Sequence, residues 1–131
     1  PAKISPEAQT VAFVFQNDQT GSTLLVAPDV FELNQKLETA LPAADAVLFD
    51  GTFWSEDELS EVRPSARKAS DMGHLPIKKG SLDLLAKLPA RHRIYLHINN
   101  TNPIFRPGSL ERRAVESAGV TIGHDGMEFK V

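Results

Sequence analysis

The 131-residue chain contains no cysteine, which excludes both a disulfide framework and a thiolate metal site within these residues. The absence also fits a reducing compartment, so we expect a cytoplasmic location. No apolar run reaches the length of a membrane span, and no signal-peptide pattern opens the chain. Because the first residue is Pro1 rather than Met, we expect that the chain does not begin at a natural translation start.

An excess of positive charge is also missing. The chain carries 14 Lys and Arg against 17 Asp and Glu, a formal net charge of −3, which argues against binding to the phosphate backbone of nucleic acids. The sequence contains no P-loop, dinucleotide-binding fingerprint, nucleophile elbow or EF-hand loop. No site of those four kinds is therefore predicted.

Apolar residues are frequent enough for a packed core. Hydrophobic residues make up 41% of the chain and charged residues 24%, and the length suits one domain. The apolar positions recur with a period of two in some segments and three to four in others. This alternation predicts mixed α and β structure.

The first half of the chain predicts a β-hairpin, a helix and a buried strand. Residues 10–16 and 22–27 are rich in β-branched and aromatic side chains and flank turn residues. A helix is predicted from an Asp29 cap to Pro42. Its apolar face consists of Val30, Leu33, Leu37 and Leu41. Residues 46–49 are a continuous apolar run typical of a buried strand.

The second half predicts alternating helices and strands after a loop over residues 63–76. Ser55 with Glu58 forms a capping-box pattern, which predicts a short helix before that loop. The sequence predicts a helix over residues 81–88, a strand over residues 93–98 and a helix capped by Ser109 over residues 109–118. A final hairpin is predicted over residues 120–131.

Asp50 stands directly after the first buried run and before Gly51. A carboxylate at the end of a buried strand lies where α/β folds usually form their sites, and it is a hard ligand suited to zinc, iron or manganese. On these residues alone, an ordinary turn residue or helix cap is the preferred interpretation, because Asp-Gly is common turn chemistry.

His74 lies between Gly73 and Leu75-Pro76 in the predicted loop. An imidazole there can ligate a metal, transfer protons near neutral pH or contact a substrate. On these residues alone, a packed or surface histidine is the preferred interpretation.

The densest polar cluster of the chain, residues 97–103, begins at the end of the strand predicted over residues 93–98. His97 can ligate a metal through one ring nitrogen while a neighbouring group holds the other. The polar residues after it can bind substrate or brace the loop through hydrogen bonds to the backbone, and a well-satisfied turn is the alternative. Three asparagines in four positions exceed what a turn requires. We therefore favour function, with substrate contacts from Asn99, Asn100, Thr101 and Asn102.

Four stretches, taken together and in order, carry a resemblance to a known family. They are residues 50–54 (DGTFW), 69–77 (ASDMGHLPI), 97–103 (HINNTNP) and 124–127 (HDGM). They resemble the C-terminal half of the pyrroloquinoline quinone biosynthesis protein B family, and the resemblance covers the whole chain. It implies the C-terminal half of a metallo-β-lactamase αββα sandwich, with residues 1–131 as a single partial domain.

The resemblance also implies roles for three residues. Asp50 matches the bridging carboxylate of the wider fold and His97 matches a histidine that closes a strand, so both are expected to bind iron or zinc. His74 is expected in substrate contact or proton transfer rather than in metal ligation. The family is tied to making pyrroloquinoline quinone, as an iron-dependent hydroxylase of a tyrosine in a peptide-derived precursor or as a carrier of the cofactor.

The His-x-His-x-Asp-His motif of that family is absent from the chain. Two protein ligands are fewer than the three or four of a tight transition-metal site, so we expect the chain alone to bind metal weakly and to be inactive. An N-terminal half or a second chain would complete the site, unless this is a degenerate homologue. Half a sandwich also exposes an apolar face, which would be buried by the missing half, a homodimer or another chain. Its candidate contributors are Phe13, Phe15 and Tyr95.

Three functions therefore stay open. The first is half of a metal-dependent oxygenase of cofactor biosynthesis, and the second is a non-catalytic carrier of the quinone or its precursor. The third is a metal-free interaction domain. Metal content separates the first function from the other two. Neither nucleic acid nor a membrane is expected as a partner.

Overall fold

The structure is a computed structural model that describes residues 10–131. These residues form a five-stranded sheet in the order β1-β2-β3-β4-β5. β1 runs antiparallel to β2, as the predicted hairpin requires, and the other neighbouring strands are parallel. The strands are β1 (Phe13–Gln16), β2 (Thr23–Ala27), β3 (Ala46–Asp50), β4 (His92–Leu96) and β5 (Thr121–Ile122).

Four α-helices in the described residues connect the parallel strands. They are α1 (Gln35–Ala40) after β2, α2 (Glu58–Val62) and α3 (Leu82–Lys87) after β3, and α4 (Leu110–Ser117) after β4. The crossovers advance across the sheet in one direction, and right-handed connections of this kind place α1, α3 and α4 on one face. Within residues 10–131, no helix has the length and apolar character needed to cross a membrane.

The face of the sheet beneath α1, α3 and α4 holds the core. Strand alternation directs Leu25, Phe49 and Tyr95 to this side, where they are buried in one cluster with apolar residues of the three helices. The hydroxyl of Tyr95 also lies 2.8 Å from Ser81 Oγ. The expectation that Tyr95 contributes to an exposed face is therefore wrong, because its ring points into the helix layer.

The opposite face of the sheet, here called the open face, is also apolar. It carries half-buried side chains from β2, β3 and β4: Leu24, Val26, Leu48 and Leu96. On β1, Phe13 and Phe15 are 51% and 56% exposed, and their rings stack with centroids 6.2 Å apart. The predicted exposure of these two rings is confirmed. A sheet that is apolar on both faces is typical of one covered by two layers.

Helix α1 begins later than the sequence pattern predicted. Its cap is Asn34 rather than Asp29, because Asn34 Oδ1 accepts a hydrogen bond from the backbone N–H of Leu37 at 3.0 Å. The helix ends at Ala40, and a 3₁₀ turn over Leu41–Ala43 follows it. Helix α4 agrees with the prediction, since Ser109 caps it by accepting from the backbone of Arg112.

The predicted final hairpin is wrong. β5 pairs with β4 in parallel, and residues 127–131 form no strand. The turn itself is present, since Met127 N donates to His124 O at 3.1 Å. The chain then contacts β4 through side chains, with His92 Nε2 2.9 Å from Lys130 O and the His92 ring packed against Phe129. These contacts take the place of pairing with β5.

The open face leads to a prediction about the 131-residue chain alone. Replacing Phe13 and Phe15 together by Gln should lower the fluorescence of a bound hydrophobic dye, because the change removes two exposed aromatic rings. The free energy of unfolding should change by only about 0.5 kcal/mol per site. Phe49→Ala serves as the buried control, with an expected loss of about 3–5 kcal/mol. A parent chain that is a monodisperse monomer and binds no dye would contradict the prediction.

Candidate metal centre

Asp50 is the last residue of β3 and is fully buried. Its Oδ2 accepts a hydrogen bond from the backbone N–H of Val30 at 2.9 Å and lies 2.8 Å from His74 Nδ1. Its Oδ1 accepts from the backbone N–H of Thr52 at 2.9 Å and from Thr52 Oγ1 at 2.6 Å. A buried carboxylate requires such partners, and they hold both oxygens in place.

Gly51 allows the ends of β3 and β4 to meet. A Cβ at this position would lie 2.8 Å from the Cβ of Tyr95 and 3.1 Å from the carbonyl oxygen of Leu96. Its backbone N–H donates to that carbonyl at 2.9 Å. The residues after β3 therefore lie directly beside those after β4.

His97 follows β4 in the left-handed conformation, with φ of +56°. This backbone angle is uncommon for a residue other than glycine, and it ends the strand at Leu96 instead of residue 98 as predicted. The exposed ring has its Nδ1 3.0 Å from Thr52 Oγ1, and the same hydroxyl lies 3.0 Å from the His97 carbonyl oxygen.

The segment before Pro76 brings His74 to the same place. A 3₁₀ turn over Ser70–Met72 ends at Gly73, whose φ of +89° favours glycine. The His74 ring is buried, packs edge-on against Phe53 and has its Nδ1 3.5 Å from Asp29 Oδ1. Asp29, predicted as a helix cap, therefore lies beside the site instead.

Three potential ligands converge at the carboxyl ends of β3 and β4. Asp50, His74 and His97 each offer one ligand atom, and these atoms lie within 4.8 Å of one another. The predicted convergence of Asp50 and His97 is confirmed. His74 is a third potential metal ligand. The sequence analysis placed it near the metal centre but did not count it among the expected ligands. Two imidazoles and one carboxylate fit zinc, and they also fit iron(II) with open coordination positions.

The polar loop after His97 is tied to the loop after β3. Asn102 is 1% exposed, and its Nδ2 donates to the carbonyl of Gly51 at 3.0 Å while its Oδ1 accepts from the backbone of Ile104. The backbone N–H of Asn99 donates to the carbonyl of Thr52 at 3.0 Å. Asn102 thus braces the loop, whereas Asn100 is exposed.

A buried carboxylate on α2 forms a second tie between the two loops. Glu58 accepts hydrogen bonds from Thr101 Oγ1 at 2.5 Å and from the backbone N–H of Trp54 at 2.6 Å. Glu58 does not form the predicted capping box with Ser55, because its carboxylate accepts hydrogen bonds from these two donors instead. Burial raises the pKa of Glu58.

Thr52 and Glu58 were missed as parts of the site. The local sequence marks Thr52 only as the third residue of Asp-Gly-Thr, and it marks Glu58 only as a helix-start residue. Their partners in the segment after β4, His97 and Thr101, are 45 and 43 positions away along the chain, so no local pattern reports these contacts.

A cleft of about 340 Å³ opens beside this centre. Asp29 lines it and has its Oδ1 3.5 Å from His74 Nδ1, whereas Asp50, His74 and His97 are not among the residues that line the cleft. The segment before His74 also lines the cleft, through Arg67, Ser70, Asp71, Met72 and Gly73.

Comparison with known proteins assigns the family. Residues 2–98 match the model of the Beta-lactamase superfamily domain. The chain belongs to the β-lactamase superfamily. This membership accords with the mixed sheet and with a site at the carboxyl ends of its strands, and it confirms the fold class expected from the sequence.

The chain is also similar to proteins named "Coenzyme PQQ synthesis protein B". It is 38% identical over 125 residues to the protein of Methylococcus capsulatus, a match that covers 94% of this chain and 41% of that protein. It is 45% identical over 116 residues to the protein of Rhizobium meliloti, covering 87% and 38%. The chain thus spans about two fifths of the length of these relatives, and the resemblance seen in the sequence is confirmed.

A solved structure shares the fold at similar coverage. It is Zn(2+)-bound PqqB from Methylobacterium extorquens, with a TM-score of 0.79 and 33% sequence identity. The match covers 86% of this chain and 41% of that one.

The bracing by Asn102 generates a prediction. Asn102→Ala removes the partners of buried backbone groups, so the free energy of unfolding should fall by about 1–3 kcal/mol in a denaturant titration. Asn100→Ala, two residues away and exposed, is the matched control and should change it by less than about 0.5 kcal/mol. Equal effects of the two substitutions would show that the loop is not held by Asn102.

Proposed function

We propose that this chain supplies Asp50 and His97 as ligands of a metal centre in a protein of pyrroloquinoline quinone biosynthesis. The observation that carries the proposal is the convergence of these side chains with His74 within 4.8 Å. The similarity to PQQ synthesis proteins and to a zinc-bound relative supports it. Either zinc or iron fits the donor set.

We propose further that a complementary N-terminal half or a second chain completes the centre. Alternation along β3 places Asp50 on the same side of the sheet as Leu48, which belongs to the open face. A layer that covers the open face would therefore pass beside the site and is positioned to add ligands. On this proposal residues 1–131 are a partial domain, and full metal affinity requires the added layer.

Each residue of the centre receives a distinct role in the proposal. A bound metal would supply Lewis acidity or, as iron, redox chemistry. His74 is assigned to proton transfer or substrate contact, because its Nδ1 is held by Asp50 Oδ2 at 2.8 Å and leaves Nε2 for the proton exchange. Ligation of the metal by His74 is the alternative that the geometry also permits.

The proposed reaction is hydroxylation of the tyrosine of a peptide-derived precursor by dioxygen. One oxygen atom would enter the ring, and the other would leave as water with two electrons from a reductant. The proposed location is the cytoplasm. Substrate contacts are assigned to the loop after His97, foremost to the exposed Asn100 and then to Asn99 and Thr101. Asn102 is left to its bracing role. A non-catalytic carrier of the quinone or its precursor is the second candidate, favoured by the cleft that is lined by Asp29, a neighbour of His74.

A pair of substitutions, made in the protein with its complementary half present, tests these roles. His97→Ala should lose both the metal and turnover of the precursor, because a ligand is removed. His74→Ala should keep its metal, measured by elemental analysis, and lose turnover or substrate affinity. His124→Ala, in the exposed C-terminal turn, is the matched control and should keep both.

The outcomes separate the alternatives. If His74→Ala also loses the metal, His74 is a ligand and its proposed role is wrong. If the parent protein holds metal and binds the precursor tightly but does not turn it over, the carrier function replaces the oxygenase.

A further inference from the structure

The hydroxyl of Thr52 stands between the two proposed ligands. Thr52 is 7% exposed, and its Oγ1 lies 2.6 Å from Asp50 Oδ1, 3.0 Å from His97 Nδ1 and 3.0 Å from the His97 carbonyl oxygen. Its backbone carbonyl accepts from Asn99 N, and its backbone N–H donates to Asp50. Both backbone groups of Thr52 are hydrogen-bonded, so the position of its side chain is fixed.

A hydroxyl has one proton to donate and two lone pairs to accept with. The Asp50 carboxylate and the His97 carbonyl oxygen are both acceptors, so the single proton of Oγ1 goes to one of them, and Asp50 makes the shorter contact. His97 Nδ1 then faces a lone pair of Oγ1. The contact between them is a hydrogen bond only if Nδ1 carries the proton and donates it.

We infer that Thr52 is a positioning residue that sets the tautomer of His97. With the proton held on Nδ1 by the Thr52 hydroxyl, the lone pair of the neutral imidazole lies on Nε2, which is the form that ligates a metal through that nitrogen. The same hydroxyl orients Asp50, so one side chain aligns two ligands from different strands. The link to metal binding rests on the proposed function, whereas the tautomer does not.

The tautomer is measured on the metal-free chain, with ¹⁵N in its four histidines, by the nitrogen chemical shifts of His97 at a pH where the ring is neutral. In the parent chain Nδ1–H should dominate. Thr52→Val keeps the shape of the side chain and removes the hydroxyl, so the population should shift toward Nε2–H, which an unconstrained imidazole prefers. Thr52→Ser should restore Nδ1–H.

Thr101→Val is the matched control. It removes a hydroxyl of the loop after His97 that contacts Glu58 on α2 and the side chain of Asn99, and it should leave the His97 tautomer unchanged. Dominance of Nε2–H in the parent chain would overturn the inference, even if Thr52→Val does not fold. A Thr52→Val chain that folds and keeps Nδ1–H would overturn it as well.

A second measurement addresses the ligand itself. With the complementary half present, Thr52→Val should weaken Zn²⁺ affinity by about 10- to 100-fold in a competition with a chelator, and Thr52→Ser should recover most of it. Unchanged affinity in Thr52→Val would overturn the role of Thr52 in metal binding. If the parent protein binds no zinc or iron although the tautomer is as predicted, the proposed function fails and the positioning of His97 by Thr52 stands.

Discussion

The requirement that the buried carboxylate of Asp50 be satisfied organises the end of the sheet. Its two oxygens receive hydrogen bonds from the backbone of Val30, the ring of His74 and both the backbone and hydroxyl of Thr52. A charge buried without such partners costs several kcal/mol. Segments before β3, after β3 and before α3 are therefore drawn to one point, and the site results from the same contacts that stabilise the fold.

The open face and the carboxylate of Asp50 lie on the same side of the sheet. Phe13, Phe15, Leu24 and Leu48 leave an apolar surface there, and Asp50 points to that side at the strand end. One added layer of structure would bury the surface and supply ligands together. This coincidence is the structural support for the proposal that an added layer completes the centre.

Local chemistry predicted much of the fold. The hairpin, β3 and the Ser109 cap of α4 depend on neighbouring residues, and the sequence located them. The cap of α1 was misplaced because Asp29 and Asn34 are both suitable caps, and the contact of Asp29 with His74 is made by residues 45 positions apart. The last segment was misjudged since the contact of Phe129 with His92 replaces strand pairing.

Within the site, the sequence identified Asp50 and His97 because each follows an apolar strand. It left the distance between Asp50 and His74 undetermined, and it left Thr52 unnoticed, since a long loop and a single hydroxyl carry no periodic signal. The asparagines after His97 illustrate the same limit. Their number suggested function, but only their contacts distinguish the brace at Asn102 from the exposed Asn100.

Anomalous diffraction tests most directly whether a metal lies between Asp50 and His97. Crystals of the protein with its complementary half, grown with Zn²⁺ and measured at the zinc absorption edge, should show a peak at the centre. If both residues are ligands, the peak should lie about 2.0–2.2 Å from an oxygen of Asp50 and from Nε2 of His97. A fully occupied zinc peak elsewhere, with Asp50 still bonded only to Val30, His74 and Thr52, would contradict it.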